Sequence, residues 1–127
     1  MLGKSSEEDV FRLVDFLLES QTEKALAALD RLLDEGMKSP EIIGALTSQL
    51  QRLKKGADLL AKGHSSQEIG SRLNVHPYFQ DKWTAQLKAV TLSRLETLLK
   101  KLLLCDETVK TGKLAERLAV ESFLLTN

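Results

Sequence analysis

Ser39-Pro40-Glu41-Ile42-Ile43-Gly44-Ala45-Leu46-Thr47-Ser48-Gln49-Leu50-Gln51-Arg52-Leu53-Lys54-Lys55-Gly56-Ala57-Asp58-Leu59-Leu60-Ala61-Lys62-Gly63 decides the fold of this chain. It opens on a serine suited to cap a helix, a proline suited to the first helical position, and a glutamate that favours the positive helix N-terminus. Ile42, Leu46, Leu50, Leu53, Ala57 and Leu60 then recur at steps of three and four, the spacing of one helix face. The stripe runs to about Lys62 and Gly63 stops it, which predicts a helix roughly 34 Å long at ~1.5 Å per residue. Gly56 interrupts it at about 1 kcal/mol relative to alanine.

The same spacing extends in both directions. Upstream, Val10, Phe11, Val14, Leu17 and Leu18 mark a first helix, with Ser5 or Ser6 as its cap and Glu7, Glu8 and Asp9 at its start. Thr22 is the expected cap of a second helix carrying Ala25, Leu26, Leu29, Leu32 and Leu33, and Gly36 ends it. Downstream, Ser65 to Glu68 has the form of a capping box before a short fourth helix with Ile69 and Leu73, closed by Asn74. Pro77 opens a fifth helix through about Ala89. Thr91 caps a sixth with Leu92, Leu95, Leu98, Leu99, Leu102 and Leu103, closed by Lys110-Thr111-Gly112. A seventh starts near Lys113 and holds Leu114, Leu118, Phe123, Leu124 and Leu125. No period-two alternation is long enough for a strand. The expectation is one all-α domain of about seven helices over residues 7–127, behind an N-terminal tail of residues 1–6.

The chain has 127 residues, enough for one domain with a real core. Its 18 basic and 18 acidic residues balance, so no global charge draws it to phosphate backbones or anionic membranes. Any nucleic-acid contact must come from a local patch. Cys105 is the single cysteine, which excludes an internal disulfide. It lies in the apolar run Leu102-Leu103-Leu104-Cys105 and reads as a buried, inert thiol. No basic-then-apolar leader opens the sequence and no apolar run approaches the ~20 residues of a membrane span, so the cytoplasm is the expected compartment.

No motif carries catalysis. Gly3-Lys4-Ser5 resembles the end of a phosphate-binding loop, but such a loop needs a further glycine five residues earlier, after a strand. His64 and His76 stand at no metal-ligand spacing, and no set of acids stands apart for acid–base work. No cofactor and no metal is expected. The stretch from Ser65 to Trp83 has the helix-turn-helix outline of DNA-binding regulators, which is the alternative reading of the chain. Its second helix would present Pro77, Tyr78, Phe79 and Asp81 to a groove, with Lys82 and Lys88 as cations, a poor base-reading surface. Phe79 and Trp83 share a face and suit the core. Tyr78 suits a contact surface, with Lys82 beside it as a candidate nucleic-acid contact through base stacking.

The order of these pieces resembles the C-terminal third of the delta subunit family of bacterial DNA polymerase III. The likeness rests on Val10-Phe11-Arg12-Leu13-Val14-Asp15-Phe16-Leu17-Leu18, Lys24-Ala25-Leu26, Leu32-Leu33-Asp34-Glu35-Gly36 and Gln49-Leu50-Gln51-Arg52-Leu53. Glu68-Ile69-Gly70-Ser71-Arg72-Leu73-Asn74-Val75-His76-Pro77, Asp106, Lys110-Thr111-Gly112 and the stretch from Leu118 to Leu125 continue it. The resemblance implies a clamp-loader collar domain, through which delta joins subunits of the gamma/tau and delta prime type in a five-membered ring during sliding-clamp loading. In that family two further N-terminal domains hold the clamp, so clamp contact is expected only through them. The family's delta is not an ATPase, and the domain is expected not to be an enzyme, although the parent holoenzyme is a DNA polymerase.

A collar domain must bury apolar surface both in its own core and against neighbours. The last two helices are apolar over wide arcs, which makes Leu99, Leu103, Leu118 and Leu125 the candidate subunit interface. Weak or no direct DNA binding and no membrane contact are expected. Calorimetric titration with magnesium-ATP is expected to give no saturable heat, because no loop is available to wrap the phosphates.

Overall fold

The computed structural model describes the backbone of residues 4–126 and the side chains of residues 7–126. Among the described residues it contains α1 (Lys4–Leu18), α2 (Thr22–Asp34), α3 (Ser39–Ala61), α4 (Ser66–Arg72), a 3-10 turn (Pro77–Phe79), α5 (Gln80–Ala89), α6 (Leu92–Lys110) and α7 (Glu116–Leu125), and no strand. The all-α expectation is met. The long central helix has 23 residues.

The α3 stripe lies at the centre of the molecule. Ile42, Leu46, Leu50 and Leu53 are fully buried, and each such side chain contributes about 1.5–3 kcal/mol relative to exposure. Helices α1, α4, α5, α6 and α7 all pack on α3, so no single neighbour could cover it. Helices α1 and α2 form an antiparallel hairpin: Asp9 meets Arg31 at one end, and Lys24 sits over the Phe16 ring at the other. The 3-10 turn is tied back to α1 by the stacked rings of Phe11 and Phe79, with centroids 5.3 Å apart, and α5 by Gln86 Nε2 donating to Asp15 Oδ1 at 2.6 Å. Helix α7 is tied to α2 by the Arg117–Asp30 ion pair.

The helix ends show which caps the sequence signals correctly. Ser65 Oγ accepts from the Glu68 amide at 3.2 Å, and Thr91 Oγ1 accepts from the Arg94 amide at 3.1 Å. The box at Ser65 is half-formed, because the Glu68 carboxylate meets His64 Nδ1 at 2.8 Å instead. Other expected caps move. Helix α1 begins at Lys4, so Ser5 and Ser6 lie within the helix rather than before it, and Gly3 lies outside the described residues. Gln21 rather than Thr22 precedes α2, and it makes no side-chain cap bond. Lys38 rather than Ser39 precedes α3, where Glu41 reaches back to accept from the Lys38 amide at 3.1 Å.

Five helices stop in the same way. At Ser20, Gly36, Gly63, Asn74 and Gly112 the backbone turns left-handed, and two amides reach back to carbonyls of the last helical turn. At the last of these, Gly112 N donates to Val109 O and Lys113 N to Thr108 O. Lys113 therefore belongs to the end of α6, and α7 starts at Glu116 instead of near Lys113. Pro77 likewise opens the 3-10 turn rather than α5 itself, with His76 Nδ1 accepting from the Tyr78 amide at 3.1 Å.

Gly56 has a packing reason that the sequence does not reveal. A Cβ there would stand 2.7 Å from Cη2 of the fully buried Trp83 ring and 3.0 Å from Leu87 Cδ1. Gly44, on the same helix, has open space where its Cβ would be. Urea denaturation is therefore expected to split the two substitutions. Gly44→Ala should gain about 0.5–1 kcal/mol from helix propensity. Gly56→Ala should lose about 1 kcal/mol net, because overpacking against a rigid indole outweighs that gain.

Candidate interaction surfaces

Exposed leucines cluster at the end of the chain. Leu103, Leu118 and Leu125 are 61%, 51% and 61% exposed, and Leu104 and Leu114 are exposed beside them in sequence. Leu118 and Leu125 are two turns apart on α7 and share a face. Leu99 is half-buried against the core and lines, with Leu103, a groove between α3 and α6 floored by Ile43 and Gly44. Leu104 and Leu114 line a second groove, between α6 and α7, in which Cys105 is buried. Burial and then the charge of Asp106 push the Cys105 thiol up from its ordinary value, which favours the thiol over the thiolate.

Helix α7 divides its apolar residues. Phe123 and Leu124 are buried, because α7 packs on α2 and α3 as well as on α6. The outward arc is therefore narrower than the leucine count suggests. Leu104 and Leu114 are exposed as well, on the groove between α6 and α7.

The helix-turn-helix segment is built inward. Phe79 and Trp83 are buried, and α4 and α5 pack on α3. Tyr78 is 48% exposed, and its ring meets Phe79 edge-on at 4.9 Å. Lys82 Nζ stands 5.9 Å from the Tyr78 ring, so the two candidate nucleic-acid contacts are brought together. Tyr78 also donates to Glu8 of α1. That hydrogen bond, then the Glu8 charge, raise the Tyr78 hydroxyl above its ordinary value, while Arg12 opposes them. A carboxylate beside Tyr78 repels phosphate, and Phe79 is already stacked on Phe11. The N-terminal end of this helix pair thus offers no base-reading face. Among the described residues no group of three or more His, Cys, Asp and Glu side chains is placed to hold a metal ion. No helix among them is long and apolar enough to cross a membrane.

Comparison with known proteins agrees with this architecture. The family model described as DNA polymerase III delta subunit, C-terminal domain, matches residues 7–127. DNA polymerase III subunit delta of Bacillus subtilis is 23% identical over 125 residues, covering 98% of this chain and 36% of that protein. The solved structure of the Bacillus subtilis DNA clamp loader delta protein superposes with a TM-score of 0.83 at 24% identity, covering 99% of this chain and 37% of that one. The chain thus spans little more than a third of the length of the relatives it matches.

The Tyr78–Glu8 contact gives a direct spectroscopic check, since Tyr78 is the only tyrosine. Ultraviolet titration should place its ionisation above that of free tyrosine, and Glu8→Gln should bring it back down. The folded value is the raised one, so the bond's contribution is present below the ordinary tyrosine range and is lost as pH rises through the folded value.

Proposed function

The chain belongs to the family formed by the C-terminal domain of the DNA polymerase III delta protein, and from that premise we propose that it is an assembly module. In this reading it joins delta to the other clamp-loader subunits, of the gamma/tau and delta prime type, in the collar that holds the loader together. Residues 7–127 are the assembling body. The domain itself performs no chemistry and works in the cytoplasm. Opening of the sliding clamp and any handling of nucleotide fall to other parts of the loader.

The observation that carries this reading is the run of exposed leucines at 103, 104, 114, 118 and 125 on a domain whose core is already closed without them. Large apolar side chains left exposed on the last helices of a well-packed bundle favour covering by another protein surface. Leu103, Leu118 and Leu125 supply that face, and Leu99 supports it from below. Tyr78 and Lys82 contribute at most weak, salt-sensitive contact with DNA, because the neutral chain gives phosphate no long-range attraction.

Sedimentation of the domain mixed with purified gamma/tau-type and delta prime-type subunits at micromolar concentration is expected to show a complex. Leu103→Ser with Leu118→Ser should weaken it by about tenfold or more while leaving the melting temperature near that of the parent, since both side chains already face solvent. Absence of any complex with the parent chain would remove the reading.

A further inference from the structure

The α1–α2 hairpin carries a second surface of a different chemistry. Asp9 is only 4% exposed, an unusual place for a carboxylate. Two guanidinium groups attend it: Arg31 Nε lies 3.3 Å from Asp9 Oδ2, and Arg12 lies 3.9 Å from Asp9 Oδ1. The first contact is ionic without hydrogen-bond alignment, so the guanidinium retains donors that point elsewhere. Both arginines are exposed beyond Asp9. Lys24 stands on the same groove, its ammonium 6.0 Å from the centre of the Phe16 ring. Between these cations the groove floor is apolar and shallow, formed by Phe16, Ala27 and Ala28.

We propose that this groove is a second docking surface, which receives an acidic, amphipathic segment of a neighbouring protein subunit. Charge selects the occupant. Three cations line the groove, and the one lining carboxylate is buried beneath two of them. Glu35 Oε1 accepts from the same Arg31 Nε at 3.3 Å, so Arg31 is shared between two carboxylates, while Arg12 and Lys24 face the groove. The buried acid lies 3.9 and 3.3 Å from the two guanidinium groups, which keeps both positive charges at the same end of the groove. The alanines let a helix backbone approach, and Phe16 gives its apolar residues a floor. A phosphate backbone would engage the cations but would leave that floor uncovered. Naming the occupant's owner as a loader subunit rests on the collar reading; the chemistry of the groove does not. A ring member needs two faces, and this groove is distinct in residues and in charge from the leucine face.

The test uses this chain and two labelled helical peptides that carry leucine with glutamate, or leucine with glutamine, along one face. Fluorescence anisotropy is expected to show the glutamate peptide binding about tenfold more tightly, with a preference that fades as salt is added. Arg12→Gln combined with Lys24→Gln should abolish the preference; it leaves Arg31 on Asp9, so the buried carboxylate keeps its nearer partner and folding is retained. Equal binding of the two peptides, no binding of either, or arginine-dependent binding of randomised DNA in their place would overturn the proposal. Mixing with full-length gamma/tau-type and delta prime-type subunits separates the two readings. If the Arg12 and Lys24 variant assembles as well as the parent while the Leu103 and Leu118 variant fails, the groove proposal falls and the collar reading stands. If the parent assembles with neither subunit, the collar reading falls and the peptides alone decide the groove.

Discussion

The architecture depends on covering one wide face of a single helix, which leaves the stripe of Gly44, Ser48, Gln51, Lys55 and Asp58 to solvent. An α3 that buries Ile42, Leu46, Leu50 and Leu53 on one side also turns Ile43, Gly56 and part of Leu60 toward neighbours. Such a helix cannot rest on a single partner, and five others pack on it. The positions of α1, α5, α6 and α7 follow from that demand. Their polar ties, such as Gln86 to Asp15 and Arg117 to Asp30, fix the angles of approach once the apolar surfaces have met. One close approach is the indole of Trp83 on Gly56, where a backbone without a side chain meets a flat ring.

Much of this was legible in the sequence, because helical period and chain-terminating residues are local properties. Gly36, Gly63, Asn74 and Gly112 announce their turns, and Ser65 and Thr91 announce their caps. The caps that shifted, at Ser5, Thr22 and Ser39, did so because a helix begins where the preceding backbone lets it. Serine and threonine are tolerated in the first turn as well as before it. The role of Gly56 was not legible, since the ring that explains it lies 27 positions away in the chain. The division of α7 into buried Phe123 and Leu124 and exposed Leu118 and Leu125 was also hidden, because it is set by α2 and α3 rather than by α7's own pattern.

The same argument applies to charge. A chain with 18 cations and 18 anions looks featureless when summed. Folding separates what the sum conceals. The antiparallel pairing of α1 and α2 brings Arg12, Lys24 and Arg31 along one groove, and the Tyr78 end of the molecule receives Glu8. On α6, Asp106 beside the Leu99 and Leu103 groove is paired with Lys110 at 2.7 Å. One small domain thus exposes leucines of its last two helices in one place and a cation-lined groove in another.

The five left-handed helix ends bear on how quickly such a molecule forms. Each reversal at Ser20, Gly36, Gly63, Asn74 and Gly112 is written within six residues of chain by its own backbone hydrogen bonds. The α1–α2 hairpin and the α4–α5 corner can therefore close early, over short loops with little entropy to lose. The packing of α1, α6 and α7 onto α3, of α7 onto α2 and of α5 onto α1 requires more distant parts of the chain to meet. Folding rates in small domains rise as contacts become more local, so reversals written into the chain this closely favour rapid folding.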